Sequence, residues 1–284
     1  MIQLSVGIPM FRAKYCGWIA LESLARQEGI DFKWELVVCE EARSKDEPFT
    51  KTRILEEYKE RLSKVGCVRI KYIPLKNWLF LSNKIAKIAQ NCDSKSKIYA
   101  SNSADLYSPP KRLKTQYDLM TKRERIDFTS SGRTIVYDIK TEQYYLNNSI
   151  MVAERGGIIT DGTCRSVRMP LMKHLPRLAN KRKSVDGWIW NFCKSYMKSQ
   201  NKKFEVHLDL STDNWKHGLN VHGLNNLTMN VREKRFSGKK RPRHIIDCPV
   251  DIRETIPEDI LDRLRDAKEY LHLHKKSKPK WEGY

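Results

Sequence analysis

The chain has no apolar run approaching the roughly 20 residues of a membrane span. Its opening, MIQLSVGIPMF, lacks a charged leader and a long apolar segment, so it reads as a first strand rather than a secretory signal. The seven cysteines are odd in number and scattered without a CxxC pair. That argues against a disulfide framework or a zinc cluster and for reduced thiols in a cytoplasmic-type compartment, or the host cytoplasm for a viral chain. No internal repeat is present, which argues against solenoids and propellers. Acid is scarce: 34 Asp and Glu face 54 Lys and Arg, a net charge of +20. Such an excess does nothing for a core and speaks instead of partners: nucleic acid, an anionic membrane surface or an anionic glycan.

What is present suffices for a large core. The 284 residues are 40% hydrophobic and 10% aromatic, which suits one domain, or one domain with an extension. Leu4–Pro9 is short, apolar and ended by proline, as a buried strand is. Ala13–Gln27 follows with helical spacing, Trp18, Leu21 and Leu24 recurring on one face and Gly29 suited to its C-cap. Trp34–Cys39, a charged amphipathic helix over Lys51–Leu62, Val68–Ile73, a helix over Asn83–Gln90 and the short strand Ile98–Ala100 continue the alternation. Strand–helix alternation of this kind predicts a parallel sheet in an α/β domain. Ligands of such sheets sit outside the carboxyl ends of the strands, here Pro9–Arg12, Glu40–Glu41 and Asn102–Asp105. Thr134–Ile139 and Gln143–Leu146 read as strands and Gly187–Met197 as a helix. Beyond Lys202 the pattern weakens; Arg232–His244 reads as a basic loop, Pro257–His272 as an amphipathic helix and Lys275–Lys280 as a basic tail.

In this order the segments resemble inverting glycosyltransferase family 2 and its GT-A relatives, over roughly Leu4 to Met197. Ser5-Val6-Gly7-Ile8-Pro9-Met10-Phe11-Arg12 is similar to the family's first strand and its turn. Glu35-Leu36-Val37-Val38-Cys39-Glu40-Glu41 is similar to the strand that ends in paired Asp, with Glu at both positions. Asn77-Trp78-Leu79-Phe80-Leu81-Ser82-Asn83 takes the place of the Asn-Gly helix start, with Trp78 for the Gly and Ser82 for an Arg. Ala100-Ser101-Asn102-Ser103-Ala104-Asp105-Leu106-Tyr107-Ser108-Pro109 resembles the metal loop, but Asn102 and Ala104 stand at the DxD positions and only Asp105 remains acidic. Ser184-Val185-Asp186-Gly187-Trp188 resembles the acidic motif that opens the family's base-bearing helix.

The resemblance implies a GT-A Rossmann-like fold, α/β with a mostly parallel sheet flanked by helices. The catalytic domain would cover residues 1–200, and residues 201–284 would form a basic C-terminal extension that completes the site, with a helix near 257–272 and a tail. The implied reaction takes a sugar from a nucleoside diphosphate sugar to a hydroxyl. Asp186 is the implied general base, and Pro9, Phe11, Arg12, Glu40, Glu41, Asn83, Asn102 and Asp105 the implied donor-binding residues. A divalent cation, Mn²⁺ or Mg²⁺, would sit on Asp105 with His217 or His222, since carboxylate oxygens suit a hard cation; a Lys or Arg in its place is the alternative. The surplus charge implies a polyanionic acceptor such as DNA carrying a hydroxymethylated base. A glycan or cell-surface polymer is the second acceptor, and a catalytically silent nucleic-acid-binding domain the reading from another class.

Each residue also has a plainer reading. Glu40 and Glu41 suit a solvated loop, Asp105 the cap of a helix near Pro109–Met120, and Asp186 an ordinary helix N-cap. His217 and His222 suit surface or core, Trp188 and Trp190 the core or an acceptor wall. The basic stretches Lys173–Lys183 and Arg232–Arg243 suit solvated faces.

Overall fold

The structure, a computed structural model, describes residues 1–11, 17–41, 54–76, 79–131, 133–138, 143–148, 165–176, 185–209, 219–222, 245–248 and 256–264. The alternation read from the sequence is present: β1 (Leu4–Phe11), α1 (Gly17–Ala25), β2 (Trp34–Glu41), α2 (Ile54–Lys64), β3 (Cys67–Leu75), α3 (Leu81–Asn91) and β4 (Ile98–Ser101). Then follow β5 (Leu106–Tyr107), α4 (Arg112–Lys122), β6 (Phe128–Ser131), β7 (Arg133–Asp138), β8 (Gln143–Asn148), β9 (Ser166–Arg168), α5 (Met169–Lys173) and α6 (Val185–Ser199). The last elements are β10 (Val206–Asp209), β11 (Leu219–His222), β12 (Ile245–Asp247) and a helix over 258–264, termed α7.

Seven strands form the main sheet in the order β10-β6-β9-β4-β1-β2-β3. The neighbours β3, β2, β1 and β4 run parallel, β9 runs antiparallel between β4 and β6, and β10 is parallel to β6. This is the mostly parallel, helix-flanked sheet expected from the sequence. Both faces are covered, so the central strands are apolar on both sides. On β2, Leu36 and Val38 enter one core cluster while Val37 and Cys39 enter the other. The first face packs α1, α2 and α4, and the second packs α3, α5 and α6. At Gly7 of β1 a close approach fixes the residue: a Cβ there would lie 2.3 Å from the Tyr99 hydroxyl. Only the residue without a side chain leaves room for that buried phenol.

A second, five-stranded sheet has the order β12-β8-β7-β11-β5. Two of its strands, β7 and β8, are the strands read at Thr134–Ile139 and Gln143–Leu146, but their joining to β5, β11 and β12 has no counterpart in the sequence reading. Ile135 and Tyr137 of β7 join the first core cluster. So do Ile256, Ile260, Leu261 and Leu264 around α7, each contributing roughly 1.5–3 kcal/mol by burial. Arg263 lies 4.2 Å over the Trp18 ring, and Arg26 pairs with Asp259, which ties α7 to α1. Residues after 200 thus supply β10 to the main sheet, β11 and β12 to the second, and α7 to the core. The helix expected at 257–272 is described only over 258–264, and the tail and the Arg232–His244 loop lie outside the described residues. No helix among the described residues is long and apolar enough to cross a membrane.

Candidate active site

Parallel pairing brings the carboxyl ends of β1, β2 and β4 side by side: Phe11 stands opposite Glu41, and Gly7 opposite Ser101. β2 extends two residues past the expected end, so Glu40 and Glu41 are strand residues, both buried, rather than solvated loop acids. Burial of a carboxylate is costly unless charge and hydrogen bonds meet it. Lys84 of α3, itself buried, sets its Nζ 3.1 Å from Glu41 Oε2 and 3.3 Å from the Met10 carbonyl. The Tyr72 hydroxyl donates to Glu40 Oε2 at 3.1 Å. Asn83 is buried beside Lys84, and its Oδ1 accepts from Ser82 Oγ at 3.2 Å. Pro9 is half-buried on β1; the Phe11 side chain and all of Arg12 lie outside the described residues.

The loop after β4 is anchored from beneath. The Asn102 N–H donates to the Gly7 carbonyl at 3.0 Å, and its side chain is fully buried. Its Oδ1 accepts from Ser108 Oγ at 2.7 Å and from Arg112 Nη1 at 2.6 Å. An amide oxygen has two lone pairs, so both are committed and Asn102 has none left for a cation. Arg112 begins α4 and also donates to the Ser101 carbonyl, to Ser108 Oγ at 2.7 Å and to Gln116 Oε1 at 3.3 Å. Asp105 does not cap this helix; Lys111 holds that position, and β5 intervenes. Asp105 is half-buried at the entry to β5.

β5 pairs antiparallel with β11, Leu106 opposite Asn220 and Tyr107 opposite Leu219. β11 also pairs in parallel with β7, His222 opposite Asp138. The pairing with β5 ends at Leu106 and Asn220, and side chains alternate faces along a strand, so this register does not bring Asp105 and His222 to one face. The His222 side chain and all of His217 lie outside the described residues. Among the described side chains no three His, Cys, Asp or Glu come together as a metal-binding group.

Asp186 lies in the first turn of α6. Its Oδ1 is 2.6 Å from Nη1 of Arg165, whose side chain is 2% exposed against 40% for Asp186. Arg165 immediately precedes β9, and its carbonyl accepts the Ser101 N–H at 2.9 Å. Asp186 is thereby linked to the end of β4, next to the loop that carries Asn102 and Asp105. Trp190 packs edge-on against Phe128 at 5.1 Å and Phe204 at 5.4 Å, a core role; Trp188 is half-buried at the same cluster.

Three residues of this edge escaped the sequence reading: Lys84, Arg112 and Arg165. Lys84 directly follows the singled-out Asn83, and a lysine among apolar helix positions was a signal to follow. Arg112 follows Pro109-Pro110, a helix-start signature that marks the element but not the role. For Arg165 no local pattern exists, since only the antiparallel insertion of β9 brings it to β4.

No family model and no curated protein matches the sequence. Among solved structures the chain is similar to S. aureus TarS, with TM-score 0.53 and 15% identity over 78% of this chain and 37% of that one. It is also similar to TarS 1–349 in complex with UDP-GlcNAc, with TM-score 0.52 and 15% identity over 79% of this chain and 60% of that one. For TarS 1–349 in complex with UDP the values are 0.50 and 14%, over 78% and 60%. The chain thus spans less than two thirds of the length of each. At such identity the likeness is one of fold, and the fold of this chain is the GT-A glycosyltransferase fold that its sequence resembles.

Proposed function

We propose that the chain is a glycosyltransferase that moves a sugar from a nucleoside diphosphate sugar, of the UDP-linked kind, to a hydroxyl acceptor. The observation that carries this reading is the meeting, at one edge of a GT-A sheet, of three separate stretches: the acid pair closing β2, the loop after β4, and Asp186 on its arginine. The crystallised complexes of fold neighbours with UDP and UDP-GlcNAc support the donor class.

In this reading Asp186 takes the acceptor hydroxyl proton as the acceptor oxygen bonds to the anomeric carbon. The bond from that carbon to the phosphate oxygen breaks, and the nucleoside diphosphate leaves with the electron pair. A positioned base of this kind contributes roughly 10²–10⁴-fold. In this reading Glu40 and Glu41, as ionised carboxylates, accept hydrogen bonds from the base or the ribose hydroxyls. A divalent cation held by Asp105, with His217 or His222, would supply positive charge to the departing diphosphate. Inversion at the anomeric carbon belongs to the family-2 likeness.

The net charge of +20 favours a polyanionic acceptor, and DNA carrying a hydroxymethylated base is the acceptor we propose. The test is a panel of nucleotide sugars, with and without Mn²⁺, scored for nucleoside diphosphate release and donor-induced thermal shift. The active donor is then offered hydroxymethylated DNA and anionic glycans. Binding with release supports the enzyme; transfer to glycan alone replaces DNA as acceptor. Binding to DNA with neither donor shift nor release leaves a silent nucleic-acid-binding domain.

A further inference from the structure

Arg165 stands out among the buried cations. Its side chain is almost wholly enclosed, yet Nε is buried with no hydrogen-bond partner. A buried donor without an acceptor costs folding free energy, so its retention needs a reason. The reason is visible in the rest of the residue. Its carbonyl is held by the Ser101 N–H at 2.9 Å and approached by Arg112 Nη2 at 3.5 Å. Its neighbour Ser166 is fixed in register between Ala100 of β4 and Thr129 of β6. The backbone is therefore fixed from both sides, and from that position Nη1 reaches Asp186 Oδ1 at 2.6 Å.

Asp186 without this contact would be a half-exposed carboxylate in the first turn of a helix, free to change rotamer. With it, Oδ1 is engaged, and Oδ2 carries no hydrogen bond among the described residues. Arg112 bonds Asn102 of the donor loop and the carbonyls of Ser101 and Arg165, and Arg165 bonds Asp186. Two buried guanidiniums thus link the donor loop to the carboxylate. Relative placement of reacting groups is where a shift of about 1 Å costs on the order of 10²-fold in rate.

We propose that Arg165 is a positioning residue: by gripping Oδ1 it holds the Asp186 carboxylate at a fixed place relative to the loop after β4, leaving Oδ2 to take the acceptor proton. This rests on the glycosyltransferase reading with Asp186 as base. Arg165 itself touches neither donor nor acceptor.

The experiment measures kcat and donor KM for wild type, Arg165→Lys, Arg165→Gln, Asp186→Asn and the Arg165→Gln/Asp186→Asn double variant, with thermal unfolding of each. Arg165→Gln should lower kcat by about 10²-fold with donor KM within about twofold. Arg165→Lys, which keeps one charged donor, should recover to within about tenfold of wild type. In the Asp186→Asn background Arg165→Gln should cost nothing more, because two residues acting as a unit are not additive. Unchanged kcat in Arg165→Gln, a rise in KM without loss of kcat, or full additivity in the double variant overturns the proposal. So does failure of both single Arg165 variants to fold, which makes Arg165 a bridge between β9 and α6 and nothing more. A wild type that releases no nucleoside diphosphate from any nucleotide sugar defeats the parent reading instead.

Discussion

The two ends of β2 both carry buried glutamates, and they are treated differently. At the amino end, Glu35 Oε1 accepts from Ser5 Oγ and the Asp93 N–H, both at 2.6 Å. Its Oε2 accepts from Arg69 Nε at 2.8 Å and Nη2 at 2.6 Å, and Arg69 also reaches Asp93 at 3.0 Å. That carboxylate stitches β1, β2, β3 and the turn after α3 together. Six residues on from Glu35, Glu41 meets the Lys84 ammonium, and Glu40 meets a phenol, at the edge where the chain leaves the sheet. Identical side chains in one strand thus meet different partners at its two ends, and the proposed function assigns donor binding only to the carboxyl end. The same contrast separates Asp186, at the carboxyl edge, from Glu22, on α1 away from it.

The sharpest way to break this contrast is at Asp186. Asp186→Asn should lower turnover by roughly 10²–10⁴-fold, about 3–5 kcal/mol of barrier, while the donor-induced thermal shift persists. Steady-state rates alongside thermal shift decide it. Turnover near that of wild type would strip the carboxyl edge of its base and leave Asp186 as a plain helix-start acid.

Glu22 tests the other side with pH. Burial alone would raise its pKa, but hydrogen bonds from Arg61, Tyr58 and Arg26 outweigh it and bring it down to about 2. Its Oε1 accepts from Arg26 Nε and Arg61 Nη2, both at 2.6 Å, and Oε2 from the Tyr58 hydroxyl at 2.6 Å and Arg61 Nη1 at 2.8 Å. Because the folded pKa is depressed from 4.5, the stabilisation is complete above the unfolded value and lost as pH falls from about 4.5 toward about 2. Its size is about 3 kcal/mol. Denaturant unfolding of wild type and Glu22→Gln across that window should show the variant less stable near neutrality and the two converging in acid. A constant difference would mean that Glu22 is held by packing rather than by charge.

Glu35→Gln tests the amino end of β2 through the hydrogen bonds it removes. It costs about 2 kcal/mol, moderated because Arg69 is 44% exposed, and it leaves kcat and donor KM of the folded protein unchanged. A loss of donor affinity in this variant, read by calorimetry under conditions where it is fully folded, would dissolve the distinction between the two ends.

The distinction was partly legible in the sequence. The strands Leu4–Pro9, Trp34–Cys39 and Ile98–Ala100 show as apolar runs because both their faces are buried, and alternation with amphipathic helices follows from covering both faces. That placed Glu40, Glu41, Asn102 and Asp105 at one edge. Of the second sheet only β7 and β8 were legible; β5 has two residues and β12 three, too few to show a period. Lys84, Arg112 and Arg165 were hidden for a related reason, since each acquires its partner through tertiary pairing rather than spacing along the chain. Asn102 was read as a donor contact from its place in the loop. That its oxygen is already filled by Ser108 and Arg112 depends on α4 folding back beneath β4, which no local pattern records.

The smallest effect expected is at Asp105, and it sharpens the comparison within the carboxyl edge itself. Asp105 is half-buried, unlike Glu40 and Glu41, and sits at the junction of the two sheets, where β5 leaves the loop to pair with β11. Asp105 lies in no strand of the main sheet, so Asp105→Ala should fold with an unfolding temperature close to that of wild type. Donor affinity should fall by roughly tenfold, about 1.4 kcal/mol, because one charged contact to cation or diphosphate is lost while the acids of β2 still engage the nucleoside. Calorimetric titration with UDP in Mn²⁺ and in chelator separates the two routes. If the carboxylate works through a cation, the wild type loses affinity in chelator and the variant does not. If wild type and variant bind UDP equally in both conditions, the loop after β4 takes no part in donor recognition. The binding edge then narrows to β1, β2 and the start of α3.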